Sequence, residues 1–106
     1  MGSKLAQQAA PEHPAATSEI LHEDDKSRVT QWLIRPGEQI HWHRHEFDYV
    51  IVQQSEGRLR LEYTDGSIKD CDYTPGGVMT GQAPIEHQAT NIGDVDIVSL
   101  EIEYKY

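Results

Sequence analysis

Arg58-Leu59-Arg60-Leu61-Glu62-Tyr63, continued by Thr64-Asp65-Gly66-Ser67 and the run Ile68 to Tyr73, is the stretch whose reading decides the fold class. Leu59, Leu61 and Tyr63 share one parity and Arg58, Arg60 and Glu62 the other, the period of two expected of a strand with one dry and one wet face. Asp-Gly supplies the positive φ of a tight hairpin, so 64–67 predicts a turn between two antiparallel strands. The same texture recurs on both sides. Arg28 to Arg35 is β-branched and aromatic and ends on the turn pair Pro36-Gly37. Gln39 to His45 follows as a strand. Asp48 to Gln54 holds the most apolar run, Tyr49-Val50-Ile51-Val52, expected at the centre of a sheet. Ile97 to Tyr104 alternates again, with Val98, Leu100, Ile102 and Tyr104 expected inside and Ser99, Glu101 and Glu103 outside. No segment after Ser18 sustains helical spacing of apolar residues. About eight short strands broken by Gly, Pro, Asp and Asn imply an all-β sandwich or barrel.

Composition narrows the class. A chain of 106 residues fits one domain with a modest core. Met1 to Ser18 is rich in Ala, Gln, Pro and Ser, so 1–18 is expected to be a flexible tail, with a short helix around Lys4 to Ala10 as the alternative, and 19–106 to be the barrel. The single cysteine, Cys71, excludes an intrachain disulfide and suits a reducing, cytoplasmic setting. Its acidic neighbours Asp70 and Asp72 raise a thiol pKa, which argues for a structural role. A net charge of −9 repels a polyphosphate backbone, so nucleic acid is not an expected partner. No apolar run approaches the roughly 20 residues needed to span a bilayer, so no membrane association is expected.

Three of the six histidines alternate in His41-Trp42-His43-Arg44-His45. On a regular strand all three project to one side, with Trp42 and Arg44 on the other. His87 lies in Pro84 to Asn91 and is the next candidate. A single strand histidine is ordinarily a hydrogen-bonded core residue, and a polar strand face can simply meet solvent. Several imidazoles converging from two strands would instead form a nitrogen site for Fe, Zn, Ni or Mn. His13 and His22 carry no assigned role.

The spacing of Gly37, His43, His45, Tyr49 and Gly57, followed by Gly76, Gln82, Pro84, His87 and Asn91, resembles the two motifs of the cupin superfamily. The resemblance runs from about Ser27 to Tyr104. The segment His41 to Val50 is also similar to that of small cupins associated with β-alanine degradation. The resemblance implies a double-stranded β-helix, a jelly-roll-like barrel, with metal held by the histidines that match His43, His45 and His87. Tyr49 stands where the family pattern has its glutamate, and Gln82 and Pro84 where it has proline and glycine. A three-histidine site is the simplest outcome, with Glu46 or Asp48 available only through a β-bulge.

Neutral imidazoles leave a divalent ion its double charge, which favours an anionic ligand and leaves coordination positions open. The expected function is therefore a metal-dependent enzyme of oxygenase or isomerase type acting on a small anionic metabolite. Tyr49 is expected to donate to a bound oxyanion, and His41 to serve as fourth ligand or proton shuttle or merely to line the barrel mouth. The alternative is a non-catalytic module that binds a small molecule. Small cupins commonly pair, and exposed edge strands need covering, so a homodimer is expected.

Overall fold

The computed structural model describes residues 13–106. The expected tail up to residue 12, with its alternative helix, lies outside the described residues. Nine strands follow one another: β1 (Thr17–Glu23), β2 (Ser27–Ile34), β3 (Gln39–His45), β4 (Asp48–Gln53), β5 (Gly57–Tyr63), β6 (Ile68–Tyr73), β7 (Val78–Gly81), β8 (Ile85–Asn91) and β9 (Ile97–Tyr104). They form two antiparallel sheets, one ordered β1-β2-β9-β4-β7 and the other β3-β8-β5-β6. Sequence neighbours such as β3 and β4 lie in different sheets, so the chain repeatedly crosses between layers and closes a barrel.

Ordered structure begins earlier than the composition of 1–18 suggests. Thr17 and Ser18 belong to β1, and the Gln39 amide and carbonyl bond Pro14 and Ala16 at 2.9 Å each. These backbone bonds hold the segment against β3, and Ala16 adds a small apolar contact with the core.

The hairpin at 64–67 forms as read. Arg58 faces Asp72 and Arg60 faces Asp70 across β5 and β6, and the Arg60 guanidinium grips Asp70 with bonds of 2.9 and 3.0 Å on the outer face. On the inner face, Leu59 and Leu61 join Ile34, Tyr73, Ala89 and Ile97 in the buried cluster. Gly57 (φ +152°) is required there, because any side chain at that position would overlap Ile97. Asn91 is buried with all its amide groups used. Its Nδ2 donates to the carbonyls of Ile34 and Val95 at 2.8 Å each, and its Oδ1 accepts from the Gly93 amide at 2.9 Å.

β9 reverses the sequence expectation. Ile97, Ser99, Glu101 and Glu103 are the buried residues, while Val98, Leu100, Ile102 and Tyr104 are only half-buried. The polar members are satisfied within the barrel: Trp32 Nε1 donates to Glu101 at 2.9 Å and Arg28 Nε to Glu103 at 2.8 Å. The apolar members continue across the sheet, Leu100 opposite Val52 and Ile102 between Val29 and Val50. The outer face of the five-stranded sheet is consequently more apolar than the inner face beside the histidines.

Candidate metal centre

β3 and β8 pair so that His43 stands opposite His87. The ladder is irregular just before this point: Ile40 faces Ala89 and His43 faces His87, so three steps on β3 match two on β8. The extra residue is a β-bulge and reverses the strand parity. Ile40, His43 and His45 therefore share the inner face and line one cavity, while His41 leaves it. The expectation of three imidazoles on one side thus fails for His41, whose Nε2 lies 2.9 Å from the His13 carbonyl oxygen.

The remaining three histidines converge. His43 Nε2 lies 3.0 Å from His45 Nε2, which lies 3.1 Å from His87 Nε2. Ring centroids are 4.6 to 5.0 Å apart in edge-on arrangements. His43 Nδ1 is 2.7 Å from the His41 carbonyl oxygen. A carbonyl only accepts, so Nδ1 carries the proton and Nε2 presents its lone pair. His45 Nδ1 lies 3.3 Å from a Glu101 carboxylate oxygen, which favours the same tautomer. Burial first, then the proximity of His43, holds His45 down at about 4. The same order of causes, with His45 added, holds His87 down at about 3.

This donor set fits a divalent ion. Bare nitrogen lone pairs facing each other at 3.0 and 3.1 Å repel unless a cation or proton lies between them, and burial disfavours protonation of the His45 and His87 rings. His87 Nδ1 is buried with no partner among the described residues, so no hydrogen bond commits that ring to another task. Neutral imidazole nitrogens suit Zn, Cu, Fe and Ni.

The carboxylates near the site are not those considered from the sequence. Glu46 is exposed and binds Arg44 Nε at 2.7 Å, and Asp48 accepts from the Ala83 amide at 2.8 Å, tying down the turn before β8. The acid beside the cluster is Glu101, buried and placed by β9. Its pKa is raised by burial, against the bond from Trp32. Its strand parity concealed it. A run in which Ser99, Glu101 and Glu103 share one face with Ile97 was the available signal.

Tyr49 packs its ring on His45, centroids 4.2 Å apart. Gly81 opposite makes room, since a Cβ there would overlap the Tyr49 ring. Burial, assisted by Glu101, pushes the phenol up to about 12. The cavity in front of the cluster measures about 140 Å³, and its walls include Ile34, Leu59, Tyr63, Tyr73 and Met79.

A two-sheet antiparallel barrel with imidazoles gathered on the inner face of β3 and β8 makes this chain a small cupin. It belongs to the family of the β-alanine degradation protein BauB of Pseudomonas aeruginosa, with which it is 30% identical over 92 residues, 87% of this chain and 96% of that protein. A cupin domain from Bordetella pertussis superposes with a TM-score of 0.84 at 33% identity, covering 92% of this chain and 100% of that one. A Klebsiella pneumoniae protein with a double-stranded β-helix domain shares the fold at a TM-score of 0.75 and 18% identity, over 91% of this chain and 82% of that one. No family model matches the chain. No helix among the described residues is long and apolar enough to cross a membrane.

Proposed function

We propose that this cupin is a metal-dependent enzyme of oxygenase or isomerase type. It takes a small anionic metabolite into the barrel and holds one divalent ion on the Nε2 atoms of His43, His45 and His87. The convergence of those three atoms carries the reading. When bound, such an ion supplies Lewis acidity and open positions for substrate or oxygen. The chain's own residues do the rest. The His41 carbonyl and Glu101 orient two of the imidazoles from behind. Tyr49, protonated up to about 12, is a hydrogen-bond donor to a ligand oxygen and not a phenolate. The apolar walls keep water from the bound molecule. The name of the Pseudomonas relative, a β-alanine degradation protein, supports a small carboxylate as the metabolite.

Elemental analysis of untagged protein tests the site. Near one metal per chain is expected, with loss in His43→Ala and His87→Ala; full occupancy in both variants would overturn the ligand assignment. Oxygen uptake and product analysis with small carboxylates test the reaction. The tyrosine in place of the motif's glutamate favours a second reading, a module that binds without turnover; full metal occupancy with no product would select it.

The working unit in this proposal is a homodimer. The outer sheet face presents Val29, Leu33, Val50, Val52, Leu100 and Ile102, and every residue of β1 is exposed, including Ile20 and Leu21. In a chain of charge −9, the apolar centre of this face, on β2, β9 and β4, is where a second copy docks with least repulsion, with Glu19 and Asp48 at its margins.

A further inference from the structure

Lys69 is the one lysine or arginine among the residues lining the cavity in front of the histidines. Its partners on the strand explain why it stands alone. β6 alternates Lys69, Asp70, Cys71 and Asp72, and the ladder puts Lys69 opposite Leu61 and Cys71 opposite Leu59, both inner-face positions. Asp70 and Asp72 therefore fall on the outer face, where Arg58 and Arg60 engage them. Glu62, also outside, accepts from Gln88 at 3.1 Å. In a chain with twice as many acidic as basic residues, Lys69 still forms no ion pair among the described residues. Its side chain lines the cavity with nothing negative on its own strand face, and the one carboxylate among the other lining residues, Glu101, stands on β9 and accepts from Trp32.

The sheet register places this ammonium relative to the cluster. Lys69 is opposite Leu61, Leu61 is opposite Ala89, and His87 is two residues from Ala89 along β8. Two strand spacings make about 10 Å and two residues about 7 Å, so the Cα of Lys69 lies roughly 12 Å diagonally from that of His87. Lys69 is exposed on the edge strand β6, so its side chain lines the cavity from the solvent side while the histidines line it from β3 and β8. The 140 Å³ cavity resembles in size the ~150 Å³ apolar cavity that accommodates benzene in another protein. Its occupant is thus of roughly half a dozen non-hydrogen atoms.

We infer that Lys69 is the anion-binding subsite of this cavity, and that the ligand is a short aliphatic carboxylate lying between the Lys69 ammonium and the histidine cluster. This deepens the proposed function and rests on its reading of the cavity as the substrate site. The carboxylate meets Lys69, the carbon chain lies on Leu61 and Tyr63, and the far end of the molecule faces the imidazoles.

The test is calorimetric titration of the protein as purified, its metal content measured in the same batch, with butyrate and with butyramide. The two probes match in size and differ in charge. The parent should bind butyrate more tightly than butyramide. Lys69→Ala should lose roughly fivefold in butyrate affinity, the scale of one solvent-reachable ion pair, and leave butyramide and metal content unchanged. Lys69→Arg should retain the preference. No butyrate binding by the parent, no preference over the amide, or an unaltered preference in Lys69→Ala would each overturn the inference. A preference lost in Lys69→Ala in protein that holds no metal would sustain the anion subsite and count against the metal reading alone.

Discussion

Replacing Glu101 by glutamine tests how the site is held from behind. The carboxylate accepts from Trp32 Nε1 at 2.9 Å and has its other oxygen 3.3 Å from His45 Nδ1, where it favours the ring proton. A glutamine of the same shape has one oxygen and one NH₂. If its oxygen faces Trp32, the NH₂ meets the His45 Nδ1 proton and drives the ring to the tautomer that blocks Nε2; if its oxygen faces His45, two donors confront each other at Trp32. Either arrangement weakens the ligand. Loss of such a support lowers metal affinity about 10- to 100-fold, or about 1.4–2.8 kcal/mol. Competition against a chromophoric chelator would measure this, with thermal unfolding of the metal-free variant as a control for folding. The control should move little or upward, because the substitution also removes a buried charge. Metal affinity within about twofold of the parent, in the same titration that shows His43→Ala unable to bind metal, would refute the reasoning.

Acidification should destabilise the metal-free protein. The folded values of His45 and His87, about 4 and about 3, lie below the ordinary 6.5. Between those limits the unfolded chain binds protons that the folded chain excludes. These two rings therefore make stability fall as pH drops from about 6.5, opposed in part by Glu101, whose raised carboxyl favours the folded state on acidification; in Glu101→Gln, which removes that opposing group, a melting temperature that holds or rises between about pH 6.5 and 4.5 would contradict the assignment. Gly81→Ala should push Tyr49 off His45 and lose about 1–3 kcal/mol in denaturant unfolding, whereas a near-parental midpoint would show that the ring has another place to go. Leu100→Glu should yield monomers by analytical ultracentrifugation at concentrations where the parent is dimeric, with metal content intact; an unchanged sedimentation profile would place the interface elsewhere.

The strands were legible because alternation and turn chemistry are local. Arg58 to Tyr63 carried its parity, its turn and its ion-pairing face within the hairpin itself. The choice of inner face on β9 was not local. Val98, Leu100 and Ile102 are apolar whether they meet a core or a second surface, and only the barrel's polar partners, Trp32 and Arg28, make the opposite parity stable. His43, His45 and His87 were legible as a set because the resemblance tied two distant segments together. His41 was misplaced because a bulge leaves no mark in residue type. Glu101 was missed as a consequence of the β9 error.

The irregular step in β3 also governs which length changes the chain can absorb. Because 40 to 43 already holds one residue more than the opposing strand, deleting either His41 or Trp42 would regularise the ladder and still leave Ile40, His43 and His45 pointing inward. Deleting Arg44, only a step further on, would throw one imidazole of the pair to the outside. Length variation among related chains should therefore be tolerated at the first position and absent from the second.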